Sequence, residues 1–316
     1  MARYLLGRLG QAVLVLFLTY TGTFFLLVVL PSDPLATILY DPDNPLAPDQ
    51  AAMLYRYYDL DGSVWVQYLH RLGRLLHGDL GFSITTGQPV TNRVLDALAP
   101  TLALTGFALV FALVIALALV MTSHLTRRRW IGNLLDHVPN LFVATPTFWL
   151  GLLVIQLFSF RLGLFSVVSD DGVRSLTFAA LSLAVPISAP IARVFDSGIR
   201  SAQAEPYTSV LYTKGLSRRR IFFSHSVRAA LLPTMTIAGL VLGDLIAGSV
   251  AIETVFAREG VGQVTEKAVS VQDLPVVQGV VLLTATVFVL VNLVVDLLYV
   301  VVDPRLRRGS RSAAPA

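Results

Sequence analysis

The feature that most constrains this chain is a series of long apolar runs without charge. Gln11–Leu30 is twenty residues with no charged side chain, Leu102–Thr122 is a second run and Val138–Phe160 a third. Leu231–Ile252 is interrupted only by Asp244, and Val276–Val302 only by Asp296. Leu176–Ala192 is shorter and carries Pro186 and Pro190, which predict a break. A helix needs about 20 apolar residues to cross the roughly 30 Å hydrocarbon core of a bilayer. In lipid the backbone must satisfy its own hydrogen bonds, so helices are the expected spans. The sequence therefore predicts an all-α polytopic membrane protein with six transmembrane helices. Composition agrees: 14% of residues are charged, against roughly 25% in soluble domains. There is no cysteine, which excludes disulfides, thiolate catalysis and cysteine metal sites.

Arg3 and Arg8 precede the first run, as they would in a cleaved signal peptide. The run is longer than a signal core, and Pro31-Ser-Asp-Pro34 follows it instead of a small-residue cleavage site, so a retained helix is expected. Lys and Arg set orientation, since cytoplasmic segments carry the excess. With the N-terminus inside, the inner segments hold sixteen basic residues and the outer ones eight. Both termini are thus expected inside (N-in/C-in), together with the polar stretch between the fourth and fifth runs.

The expected organisation is an N-terminal tail and first helix over 1–30, then an extracytoplasmic segment with amphipathic helices over 31–97. A core with five further transmembrane helices follows over 98–303, and a cytoplasmic tail over 304–316 closes the chain. In the outer segment, Pro48-Asp49-Gln50 opens a short helix through Tyr58. Ser63–His77 reads as an amphipathic helix with Trp65, Tyr68, Leu72 and Leu76 on one face, Arg71 and Arg74 off it, and Gly78-Asp-Leu-Gly81 as its stop. That face suits either the lipid–water interface or an external partner.

Chemistry of other kinds is missing from the sequence. Its two lysines, Lys214 and Lys267, do not follow the glycine pattern of a nucleotide-binding loop, and there is no HExxH or GxSxG. His70, His77, His124, His137 and His225 are scattered and suggest no metal site. The two intramembrane carboxylates, Asp244 and Asp296, lie on different helices and do not form a catalytic pair. Energy for pumping would have to come from another chain or an ion gradient.

The most informative polar element is the loop after the fourth run. It reads Glu205-Pro-Tyr-Thr-Ser-Val-Leu-Tyr-Thr-Lys-Gly215, then Leu-Ser-Arg218-Arg219-Arg220, and closes at Ala229-Ala-Leu-Leu-Pro233. Two short helical pieces with a glycine between them, inside a chain of membrane spans, suit a docking element for a soluble partner. Gly215 permits a tight turn because it has no Cβ. The three arginines suit either an acidic partner or anionic lipid.

This loop resembles the coupling motif of inner-membrane permease subunits of ATP-binding-cassette (ABC) importers, in the dipeptide/oligopeptide/nickel branch. Glu205, Tyr207, Lys214-Gly215-Leu216-Ser217, Arg219, His225, Arg228 and Leu231-Leu232-Pro233 match in order. The resemblance continues through Arg8-Leu9, Pro31–Pro34, Gly78–Ser83, Pro89-Val90 and Pro100-Thr101-Leu102. It goes on in Glu253–Phe256, Gly260-Val-Gly262, Asp273–Gly279, Asn292–Asp296, Tyr299 and Asp303-Pro304-Arg305.

It implies a type I importer permease fold in a bacterial inner membrane, with 193–230 as the cytoplasmic coupling loop. Glu205, Tyr207, Lys214, Gly215, Arg219, His225, Arg228 and Pro233 would be the ATPase-coupling residues. The implied partners are a homologous second permease, two ABC ATPases, an extracytoplasmic binding protein and membrane lipid, without nucleic acid. The implied cargo is peptides, with nickel or another small solute as the alternative. No cofactor is expected on this chain, and ATP and Mg belong to the ATPases.

Departures are Val210 and Leu211, where small residues are usual before the glycine, Ser32 in the outer turn, and Asp244 at a position usually uncharged. Asp244 either lines the translocation path and meets a cationic group, or bonds a neighbouring subunit. A self-sufficient secondary transporter is the competing reading, with Asp244 carrying a proton. Six spans without an internal repeat are few for that architecture.

Overall fold

The computed structural model describes residues 2–29, 35, 48–58, 62–167 and 172–302. The Pro31–Pro34 turn, Asp303-Pro304-Arg305 and the tail lie outside the described residues, as do the side chains of Asp296 and Tyr299. In chain order the helices are α1 (Ala2–Val29), α2 (Pro48–Tyr57), α3 (Val64–Leu76), α4 (Val90–Leu125), α5 (Arg129–Ala144) and α6 (Thr147–Val154). They continue as α7 (Val173–Ala204), α8 (Pro206–Thr213), α9 (Arg218–Ile221), α10 (Arg228–Val255), α11 (Val261–Ser270) and α12 (Leu274–Val302). Wider π-helical turns extend α6 over Ile155–Arg161 and join α9 to α10 over Phe222–Val227.

Five helical stretches are long and apolar enough to cross a membrane: Gly7–Leu27, Val90–Leu125, Val173–Ala204, Arg218–Val255 and Leu274–Leu293. A sixth arises if α5 and the α6 stretch count together, although they meet at 101°. The uninterrupted third run expected from sequence is therefore a bent pair. Thr145 and Pro146 are both extended (ψ 117° and 132°), and Pro146 disfavours the α conformation in Thr145 before it. The fourth run differs in the opposite sense. Pro186 and Pro190 do not break it, and α7 continues for 32 residues. Neighbouring helices and local adjustments can accommodate proline within a packed membrane helix.

The chain divides into two compact units. One comprises Leu102–Ala257 with Leu290–Ala316. Its core is a seam of small residues. Leu104, Ala108, Ala112 and Ala116 recur every four residues along α4, all with no exposure. Ala179, Ala180, Leu183, Ala184, Ile191, Phe195 and Ile199 of α7 join the same cluster with Ala230, Val241, Leu245 and Ile252 of α10. Lipid tails are as apolar as leucine, so close van der Waals contact between small residues holds such helices together. Backbones come close at Gly198, where an added Cβ would stand 2.9 Å from Ala230 Cβ and 3.0 Å from its Cα. Phe165 stacks on Phe178 at 4.6 Å and on Phe256 at 5.9 Å, closing one end of the cluster.

The other unit comprises Met1–Thr101 with Arg258–Val289. Tyr20, Phe24 and Tyr68 form a buried aromatic group joining α1 to α3, with Phe25 stacked on Tyr68 at 5.6 Å. The packed face of α3 is displaced from the one expected. Gln67 and Tyr68 are buried and Leu72 and Leu75 pack alongside, whereas Leu76 is 79% exposed. Trp65 is exposed apart from an edge contact with Phe25 at 5.4 Å. Arg71 lies on the packed side, not off it. Its guanidinium donates to Tyr58 O at 2.8 Å and stands 5.8 Å from the Phe24 ring centre.

A second buried cluster joins Val90, Val94 and Ala97 of α4 to Val261, Ala268, Val276, Val277 and Val280. Beside it, the fully buried Asp273 carboxylate accepts from Ser83 Oγ, from Ile84 N at 3.1 Å and from Thr85 Oγ1 at 2.9 Å. Arg93 Nη1 stands 4.0 Å away. The loop before α4 is thereby pinned to the turn before α12. Tyr58 donates to Ser83 O at 3.1 Å, and burial pushes its phenol above the ordinary value, keeping it a donor.

Candidate coupling site

The polar loop is narrower than its sequence suggests, because Arg193–Ala204 completes α7 and Arg218 onward begins the next long helical run. Between them, Glu205 turns the chain out of α7 (ψ 138°), and Pro206 opens α8, where a missing N–H removes nothing from the helix. The C-terminus of α8 is a Schellman closure. Leu216 N donates to Leu211 O at 3.2 Å and Gly215 N to Tyr212 O at 2.9 Å, with Gly215 at φ +82°. Ser217 then caps α9, its side chain accepting from Arg220 N at 3.4 Å. A helix, a left-handed glycine and an N-cap thus produce the helix–turn–helix.

Thr208 anchors this element. It is buried within a largely exposed helix, and its hydroxyl donates to Ala202 O at 2.9 Å, tying α8 back to the last turn of α7. The outward surface holds Tyr207, Val210 and Tyr212, each between 43% and 49% exposed. Glu205, Lys214 and Arg218 to Arg220 are exposed around them. Glu205, Tyr207 and Pro233 come together along a groove of about 660 Å³, with Arg193, Ser197 and Gly198 on its α7 wall. Lys214, Gly215, Arg219, His225 and Arg228 do not line it. His225 sits half-buried in the π-helical turn, and Arg228 is exposed.

Sequence reasoning missed the network that braces the base of the element. Asp196 of α7 accepts from His124 Nε2 at 2.7 Å and from Arg200 Nε at 2.8 Å. Arg200 Nη2 donates to Asp136 of α5 at 2.9 Å, and Asp136 also accepts from Ser123. Arg193 donates to Asn140 at 2.8 Å. The ends of α4, α5 and α7 are thus linked by charge-assisted hydrogen bonds, which are stronger than neutral ones. The i, i+4 pair Asp196–Arg200 was visible in the sequence. Its link to His124, 72 residues away, was not. Asp244 is exposed on α10, one turn after the exposed Leu240 and next to the buried Leu245.

Spans packed through small residues, with an exposed, braced helix–turn–helix between two of them, define a polytopic membrane protein with a rigid polar element between its spans. The chain belongs to the family of binding-protein-dependent transport system inner membrane components, whose family model matches residues 108–308. It is 32% identical over 308 residues to the glutathione transport system permease protein GsiC of Escherichia coli O6:H1, covering 97% of this chain and 99% of that one. The GsiC of Salmonella typhimurium is likewise 32% identical over 308 residues, with 97% and 99% coverage. The fold of the present chain is similar to that of a chain of the methionine ABC transporter MetNI in inward-facing conformations. That match has a TM-score of 0.52 and 19% identity, over 66% of this chain and 96% of that one. The chain is an inner-membrane, multi-pass permease component of an ABC importer, and the secondary-transporter reading is set aside.

Proposed function

We propose that this chain pairs with a homologous second permease to form the translocation path for peptides. An extracytoplasmic binding protein would deliver the cargo, and two ABC ATPases, carrying ATP and Mg, would dock on the coupling elements. The observation that carries this reading is α8: a short helix anchored by Thr208 and closed by Gly215, with Tyr207, Val210 and Tyr212 exposed. A helix held in this way passes a push from an ATPase into α7, whose Phe195 and Ile199 are packed in the core shared with α10. ATP binding favours one arrangement and hydrolysis the other, a population shift driven by contacts that differ between two states. Support for a peptide cargo comes from relatives named as glutathione permeases, glutathione being a tripeptide. Exposed Asp244 suits a place on the path, where it would meet a cationic group such as a peptide amine.

The test is purification of the chain in mild detergent from its native cells, with mass spectrometry of what accompanies it. A second permease and Walker-A ATPases are expected, with the ATPases lost in Gly215→Val. Recovery of the chain alone from both would overturn the reading. For the path, Asp244→Asn is expected to lower uptake of cationic peptides by about tenfold, a loss of roughly one charge-assisted hydrogen bond. Unchanged uptake of every peptide tested would remove Asp244 from it.

A further inference from the structure

Two paths lead out of the helix–turn–helix, and both end on one side chain. At its entry, Thr208 of α8 bonds Ala202 O at 2.9 Å, two residues beyond Arg200 of α7. Arg200 donates to Asp196 at 2.8 Å, and Asp196 accepts from His124 Nε2 at 2.7 Å. At its exit, buried Phe222 opens the π-helical turn after α9 and lies against the same histidine, 5.9 Å between ring centres. His124 stands in the last turn of α4. The bonds also close into a ring. Arg200 reaches Asp136 of α5 at 2.9 Å, and Asp136 accepts from Ser123, the residue before His124. Within this ring the His124–Asp196 link is the best shielded, with side chains 13% and 28% exposed, whereas Arg200 is 55% exposed.

Ion pairs of such exposure add little to stability, up to about 1 kcal/mol each. What the ring supplies is geometry: α4, α5 and α7 cannot slide past one another at this end without breaking charge-assisted bonds. We propose that His124 and Asp196 are positioning residues, forming the joint through which movement of the coupling element reaches α4 and α5. This rests on the ATPase docking proposed above. With the joint intact, the three helix ends travel as one body. Without it, α7 follows α8 alone, because the apolar seam between the helices permits small sliding motions.

The test uses the assembled transporter in nanodiscs. Asn133→Cys on α5 and Gln203→Cys on α7, both exposed, carry spin labels in a chain with no other cysteine. Their separation is measured by pulsed electron double resonance, without nucleotide and with AMP-PNP and magnesium. In the otherwise wild-type chain the separation should be the same in both states. In His124→Ala and in Asp196→Ala it should shift on AMP-PNP by about 2 Å or broaden by as much. His124→Gln keeps an N–H donor for Asp196 and should behave as wild type. A separation that stays fixed in both alanine variants, or that already shifts in the wild-type background, overturns the proposal. Absence of ATPases from the purified wild-type assembly is read before any distance; it would overturn the docking reading, and the joint with it. Thermal midpoints without nucleotide check that each variant folds, and His124→Ala decides the matter should Asp196→Ala fail to assemble.

Discussion

Gly215 is where one residue's backbone decides the shape of the candidate coupling site. At φ +82° it occupies the left-handed region, and a Cβ there would meet no atom within 4 Å. Substitution is therefore opposed by local strain alone, about 1–2 kcal/mol for an ordinary side chain and less for asparagine. Recovery of ATPases with the purified chain should fall in the order wild type, Gly215→Asn, Gly215→Ala, Gly215→Val, at constant levels of the chain. An order set by side-chain size with no tolerance of asparagine would place the effect in a contact instead. Asp79 gives a prediction in pH. The hydrogen bond from Arg74, helped by the Gly81 N–H, holds its carboxyl below the ordinary value of 3.8. A lowered folded-state value means the stabilisation is complete above the unfolded value and fades as pH falls through the folded one. The pair is half exposed, so its contribution is within about 1 kcal/mol. Thermal midpoints of wild type and Asp79→Asn should differ slightly at neutral pH and converge in acid below 3.8.

At the scale of elements, the same residue type has opposite outcomes. Pro146 ends α5 through its effect on Thr145, while Pro186 and Pro190 sit inside a continuous α7. The residues around the α7 prolines, Leu183, Ala184, Ala189 and Ile191, are almost wholly buried, so packing fixes the helix across the missing hydrogen bonds. Glycines divide in the same way. A Cβ at Gly198 would meet the backbone of Ala230, which cannot yield without moving α10. At Gly248 it would meet only Leu183 Cδ1 at 2.9 Å, the end of a flexible side chain. Gly198→Ala should destabilise the purified chain by about 1–3 kcal/mol, while Gly248→Ala should stay within about 1 kcal/mol. Thermal unfolding in detergent compares them directly, and equal losses would contradict the close approach of α7 and α10.

For the whole molecule, the basic bias predicts a cytoplasmic coupling element and an external Ser63–Gly81 segment. The chain has no cysteine, so single replacements can report this without background. Ser63→Cys in intact cells should react with a membrane-impermeant maleimide. Ser217→Cys should react only after the membrane is opened. Both residues are exposed in the chain, so reversed labelling would mean reversed topology.

Charge-free runs and the order of motifs carried the membrane class, five of the six expected spans and the position of the candidate coupling site. These depend on local composition and on one backbone-permissive glycine, both properties of short segments. Tertiary structure decided the bend at Pro146, the continuity of α7, and the inward turn of Arg71. It also decided the His124–Asp196–Arg200–Asp136 brace and the burial of Asp273. Each of these joins residues far apart in the chain or weighs a local preference against packing. Their energies exist only once the helices are in contact, so no window of sequence contains them.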